Sequence, residues 1–113
     1  GEAVAMAADQ VPAKNMGVYE NFFGRKAYTT NLIPSLHSKT KAPIVSVAIH
    51  SDNLTNQLYI RYGSKSTYKE KSQYNAKTMN KEIENIININ PEDYNWEYKR
   101  FKKQEAEDKT IYK

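Results

Sequence analysis

The groups in this 113-residue chain whose types and spacing suit chemistry are two histidines, a carboxylate–amide pair, an aromatic doublet and a basic cluster. His37 is followed by Ser38, Lys39, Thr40 and Lys41, with no acid within the next turn. His50 closes an apolar run, with Asp52 two residues on. A histidine beside an acid suits a general base, although a strand-end histidine more often makes a local turn hydrogen bond. Two isolated histidines do not make a metal site. The chain has no cysteine, which excludes a disulfide framework, a thiolate nucleophile and a cysteine–zinc cluster. It also lacks a G-x-S-x-G elbow, a phosphate-binding G-x-x-x-x-G-K-[ST] loop and a G-x-G-x-x-G fingerprint.

Asp9-Gln10 ends the apolar run Ala3 to Ala8. If that run is a strand, the pair stands at its carboxyl end, where open α/β sheets gather ligands. An acid and an amide there orient a polar substrate or a basic partner residue; a cap or turn role fits position 9 equally. Phe22-Phe23-Gly24 offers two rings to wall an apolar groove, with Gly24 permitting close backbone approach. The plainer alternative is that the rings pin a loop to the core. Trp96 and Arg100 are one helical turn apart, which makes a cation–π contact available. Lys99, Arg100, Lys102 and Lys103 form a basic cluster that suits phosphate or anionic lipid, and equally a solvated helix end.

The elements expected to carry these groups alternate in type. Ala3 to Ala8 reads as a buried strand, and Val11 to Lys26, with Pro12, Gly17 and Gly24, as a long irregular loop. Thr29 or Thr30 caps a helix to about Thr40, burying Leu32, Ile33 and Leu36, and Pro43 stops it. Ile44 to Ile49 is β-branched and apolar on both faces, which predicts a central strand. Ser51 to Asn56 is a turn, Gln57 to Tyr62 a half-exposed strand, and Gly63 to Gln73 a loop. From about Asn75, Met79, Ile83, Ile86 and Ile87 recur at helical spacing, to about Ile89. Asn90-Pro91-Glu92-Asp93 is the start of a third helix, with Tyr94, Tyr98 and Phe101 on one face. Residues 104–113 read as a charged, frayed tail. The fold class is therefore α/β.

The length supports one modest domain. No run approaches the ~20 apolar residues of a membrane span. Gly1, running straight into apolar residues, reads as an imposed boundary rather than a native start. The formal charge of +4 favours phosphates, anionic lipids or an acidic carrier protein, or serves solubility alone.

The order of these weak signals resembles the lauroyl/myristoyl acyltransferases of lipid A biosynthesis. Asp9-Gln10, then Phe22-Phe23-Gly24, Ala27 and Thr29 look like that family's D-Q…F-F-G-x-x-A-x-T pattern. Lys41-Ala42-Pro43-Ile44-Val45 resembles its t-G-A-x-V. Asn90 to Lys102 is similar to its closing P-E-Q-Y-x-W-x-H-R-R-F-K, with Pro91, Trp96, Arg100, Phe101 and Lys102 in register. Tyr98 stands where the family has histidine, Lys99 replaces its first arginine, Asp93 a glutamine and Lys41 a glycine.

The resemblance implies the C-terminal part of a lipid A acyltransferase domain over residues 1–113: a partial acyltransferase fold, its central mixed sheet flanked by helices and followed by two C-terminal helices. It implies transfer of a fatty acyl chain from acyl carrier protein to a Kdo-bearing lipid A precursor, at the cytoplasmic face of the bacterial inner membrane. The implied partners are the acyl-loaded carrier protein, the lipid A precursor and the membrane surface; no cofactor and no nucleic acid are implied. The family's catalytic H-x-x-x-x-D/E is absent, since Ala42 lies five positions after His37 and Thr55 five after His50. The isolated chain is thus expected to be inactive. Asp9, Gln10, Phe22, Phe23 and Gly24 are the expected substrate-binding residues. Trp96, Arg100 and Lys102 are expected to hold the C-terminal helix in place or to face anionic lipid. Two other readings are an acyltransferase acting on another glycolipid, and a noncatalytic module binding RNA or an anionic surface through tyrosines and basic residues.

Overall fold

The first strand, β1 (Gly17–Phe22), turns tightly into β2 (Arg25–Thr30). The strands are antiparallel, with Phe22 opposite Arg25. The two residues between them both have positive φ, 47° at Phe23 and 77° at Gly24. That is the backbone sense of a two-residue turn whose twist matches its strands. From Gly17 on, this hairpin takes the place of the long loop expected over 11–26, while 11–16 stay irregular. Its first strand does not alternate cleanly, with Val18 exposed, Tyr19 and Glu20 both half-buried and Phe22 buried, so period-two reasoning had little to detect.

The computed structural model describes residues 1–52, 54, 57–62, 74–105 and 112; for 52 and 57–62 it describes the backbone alone. After the hairpin come α1 (Leu32–Thr40), β3 (Val47–Asp52), β4 (Gln57–Tyr62) and α2 (Ala76–Ile87), then one 3-10 turn, Pro91–Asp93. The fold is mixed α/β, consistent with a partial acyltransferase fold. Its strands form two antiparallel pairs, β1–β2 and β3–β4, in place of one central mixed sheet.

Several expected elements take another form. Ala3 to Ala8 makes no strand, and residues 1–7 are exposed. No described strand pairs with this run, so its backbone gains no ladder of hydrogen bonds. Thr29 does not cap α1 but is a buried residue of β2. The cap position is Asn31, and Thr30 Oγ1 accepts the Leu32 N–H at 3.2 Å. Leu32 and Leu36 are exposed and Pro34 is the buried residue of α1, so the expected Leu32/Ile33/Leu36 stripe is not its packed face. The helix ends where the Lys41 N–H donates to the His37 carbonyl at 2.8 Å, with Lys41 left-handed at φ 57°.

The apolar run Ile44 to Ile49 is not a strand buried on both faces. β3 begins at Val47 and, among the described residues, pairs with β4 alone; Val45, Val47 and Ile49 are exposed. Its other face has neighbours: Ser46 Oγ donates to Glu82 of α2 at 2.9 Å, and His50 is buried. The expected loop at 63–73 lies outside the described residues.

The second helix matches its periodicity to within a residue or two at each end. Asn75 caps it, accepting the Thr78 N–H at 3.0 Å, and Met79, Ile86 and Ile87 are buried. The expected final helix from Pro91 is a single 3-10 turn followed by irregular turns through Phe101. Tyr94, Tyr98 and Phe101 therefore share no helical face. The core joins Phe22, Ala27 and Ile87, with Ile83, Tyr94 and Phe101 packed against them. No described helix is long and apolar enough to cross a membrane.

Candidate functional site

Arg100 is the hub of the molecule. It comes from the irregular C-terminal segment, yet only 2% of its surface is exposed. Its Nη1 donates to the Tyr28 carbonyl at 2.8 Å and its Nη2 to Thr29 Oγ1 at 2.9 Å. The guanidinium also lies over the Phe22 ring, 5.2 Å from the centroid. Asn80 of α2 completes the group. Its Nδ2 donates to Thr29 Oγ1 at 3.0 Å and to the Asn21 carbonyl at 2.9 Å, and its Oδ1 lies 3.5 Å from Arg100 Nη2. One buried polar network thus ties the β1–β2 hairpin, α2 and the C-terminal segment together. A guanidinium suits this position because it satisfies several acceptors from one rigid plane. Its Nε finds no partner among the described residues.

The segment that carries Asp9 lies beside the same network. Burial pushes the Tyr94 hydroxyl well above its usual range, and the charge of Asp9 adds to that effect. At Arg100 burial acts to lower the pKa, against the pull of Tyr94 and then Asp9. Asp9 is half-buried and Gln10 exposed. They occupy a turn, with the Gln10 N–H donating to the Ala7 carbonyl at 3.4 Å, not the end of a strand. The segment behind them is clipped by the C-terminal residues: the Val11 N–H donates to Tyr98 Oη at 2.7 Å, and Lys103 Nζ to the Pro12 carbonyl. Lys103 also lies 4.9 Å from the Tyr28 ring centroid.

The aromatic doublet is split. Phe22 is buried, whereas Phe23 is 38% exposed at the hairpin tip beside Gly24. The Phe23 N–H donates to Glu84 Oε1 at 2.8 Å, which props the turn from α2. The Phe23 ring stands 5.9 Å from Trp96, whose own ring is 4.8 Å from Tyr94. Trp96 donates its Nε1–H to the Pro91 carbonyl at 2.8 Å. It does not stack with Arg100, because the two are not on one helix. Of the basic cluster, Arg100 is internal, while Lys102 is exposed with its Nζ 5.4 Å from the Tyr98 ring centroid.

The sequence reading passed over Asn80 and Glu84, two polar residues on a helix chosen for its isoleucines. Asn80 follows directly on Met79, on the buried face, and that placement is the signal that singles it out. His50 meets a different acid from the one expected. Its Nδ1 lies 3.5 Å from Asp93 Oδ2, and neither ring nitrogen is hydrogen-bonded among the described residues. Asp93 accepts from the Ser51 N–H and Oγ, both at 2.7 Å; these bonds hold its carboxyl below the usual value, with a smaller contribution from His50. His37 is engaged locally, its Nδ1 2.8 Å from the Ala42 carbonyl. Among the described residues no group of three histidine or acidic side chains is placed to hold a metal.

Three segments far apart in sequence, around Asp9, Phe22 to Thr29 and Pro91 to Lys102, therefore meet around one buried arginine. These are the segments that carry the acyltransferase resemblance. Residues 1–103 match the family of bacterial lipid A biosynthesis acyltransferases, and the chain belongs to it. No curated protein matches the chain.

Proposed function

We propose that this chain is the C-terminal part of an enzyme that moves a fatty acyl group from acyl carrier protein to a Kdo-bearing lipid A precursor, with lauroyl transfer as its first candidate reaction. Family membership supports acyl transfer in lipid A biosynthesis. The observation that carries the finer reading is the convergence of Thr29, Asn80 and Arg100, with the segment just after Asp9 held against the C-terminal residues by Tyr98 and Lys103. In this reading Asp9 and Gln10 line the acceptor side of the cleft. Phe22 and Arg100 hold the hairpin rigid, and Phe23 with Gly24 presents an apolar wall to the acyl chain. The base that deprotonates the attacking hydroxyl belongs to an H-x-x-x-x-D/E motif outside these residues. The hydroxyl oxygen then attacks the thioester carbonyl, and the carrier thiol leaves. The parent enzyme works at the cytoplasmic face of the inner membrane, where both substrates are available.

The test is an assay of the parent enzyme with acyl-loaded carrier protein and two acceptors, a Kdo-bearing lipid A precursor and an unrelated glycolipid. Acylation of the first alone is expected, with no transfer by the 113-residue chain by itself. Equal acylation of the second acceptor, or transfer by the isolated chain, would overturn the assignment.

A further inference from the structure

The turn that carries Asp9 and Gln10 has no regular structure to hold it. Residues 1–16 form neither strand nor helix, and residues 1–7 are exposed. The main-chain bond across the turn, from the Gln10 N–H to the Ala7 carbonyl, is long at 3.4 Å. What fixes the turn therefore comes from the residues that follow it.

Three contacts do so, all at residues 11 and 12. Tyr98 Oη accepts the Val11 N–H at 2.7 Å. Lys103 Nζ donates to the Pro12 carbonyl. The Pro12 ring lies against Gly17, where an added Cβ would stand 2.7 Å from Pro12 Cγ and 2.5 Å from the Thr29 carbonyl oxygen. Glycine alone leaves room for that approach.

The base from which Tyr98 and Lys103 reach is itself anchored. Arg100, between them, is buried on the Tyr28 carbonyl and the Thr29 hydroxyl. The Phe101 N–H donates to Tyr112 Oη at 2.9 Å, and the Gln104 carbonyl accepts from Tyr19 Oη at 2.9 Å. Of the three contacts, the one from Tyr98 is nearest the pair, since Val11 follows Gln10 directly. Two residues of chain span at most about 7 Å, so a fixed Val11 confines Asp9 within that reach. Tyr98 also stands where the family pattern carries histidine. The hydroxyl clamp is thus a feature of this chain and is not supplied by the pattern.

We propose that Tyr98 is a positioning residue for acyl transfer, its hydroxyl holding Val11 so that Asp9 and Gln10 stay at the acceptor. This rests on the reading that those two residues line the acceptor side of the cleft, and adds the group that keeps them there.

The test is a double-mutant cycle in the parent enzyme. Tyr98→Phe keeps the ring beside Lys102 and removes only the accepting oxygen. It should lower kcat about tenfold, with KM for the acyl-loaded carrier protein unchanged and cooperative urea unfolding retained. In an Asp9→Asn enzyme the same change should cost less than about twofold, because a group that acts through Asp9 has nothing left to position. Should Tyr98→Phe fail to fold, Lys103→Met, which frees the Pro12 carbonyl instead, enters the same cycle with the same expectation. Unaltered kcat in the folded variant, a loss carried by KM for the carrier protein, or the full tenfold loss repeated beside Asp9→Asn would each overturn the proposal. Near-normal turnover of Asp9→Asn by itself refutes the acceptor-side reading and this inference with it. An impaired Asp9→Asn enzyme in which Tyr98→Phe is silent or fully additive refutes this inference alone.

Discussion

At the residue scale, Arg100 decides how the molecule holds together. Its guanidinium is donor to a main-chain carbonyl and a threonine hydroxyl that have no water to turn to. Arg100→Met keeps much of the stem and its packing on Phe22 but strands the Tyr28 carbonyl. Stranded buried acceptors cost about 1–3 kcal/mol each, and urea unfolding should show a loss of roughly 2–3 kcal/mol. Lysine at 100 should recover only part of this, since an ammonium cannot reproduce the planar fork. A loss under about 0.5 kcal/mol, the range of ordinary surface substitutions, would mean the network is not structural. Little of this was visible in the sequence. Arg100 stood out for its charge and its spacing from Trp96, and both suggested an exposed helix. Burial of an arginine depends on partners from other segments, here Thr29 and Asn80, and a local pattern does not register them.

At the element scale, long regular periodicity was readable and short or irregular segments were not. Met79, Ile86 and Ile87 located α2, and alternation at 57–62 located β4. The β1–β2 hairpin was missed because its turn is Phe-Gly, a pair whose first residue hides the positive φ. The Pro91 helix was overextended: a cap, a proline and two acids start a turn, but neither Asn95 nor the clustered aromatics continue it as a helix.

The end of α1 gives a direct test of local strain. Lys41 is left-handed where the family pattern resembled here carries glycine. A side chain at that φ costs about 1–2 kcal/mol relative to glycine's freedom, partly offset by glycine's larger unfolded-state entropy. Lys41→Gly should therefore raise stability by about 0.5–1 kcal/mol, read as a higher urea midpoint at unchanged slope. An unchanged or lower midpoint would mean the αL cap at Lys41 is unstrained.

At the scale of the whole molecule, the polar network and the aromatic core are two views of one junction. The hairpin, α2 and the C-terminal segment meet at Phe22, Phe101 and Arg100, and the N-terminal segment is tied to that junction through Val11 and Pro12. The β3–β4 pair is joined to it more loosely, through Ser46 to Glu82 and Ser51 to Asp93. Its open face of Val45, Val47 and Ile49 has the composition of a central strand without the cover of one. Composition made the strand legible; what lies over it was not, because covering depends on chain remote from 44–49. The family motifs showed which segments matter, and the structure adds that they are adjacent.

The central proposal is that Asp9 is the acid presented to the acceptor. The decisive measurement is the turnover of the parent enzyme carrying Asp9→Asn, a change that keeps the size of the side chain and removes its charge. The expected result is a fall in kcat of about a hundredfold, the scale of a lost positioning or proton-handling group, with the urea midpoint within about 1 kcal/mol of the unaltered enzyme. Near-normal turnover in a folded Asp9→Asn enzyme would contradict the account and leave the convergence at Arg100 as architecture alone.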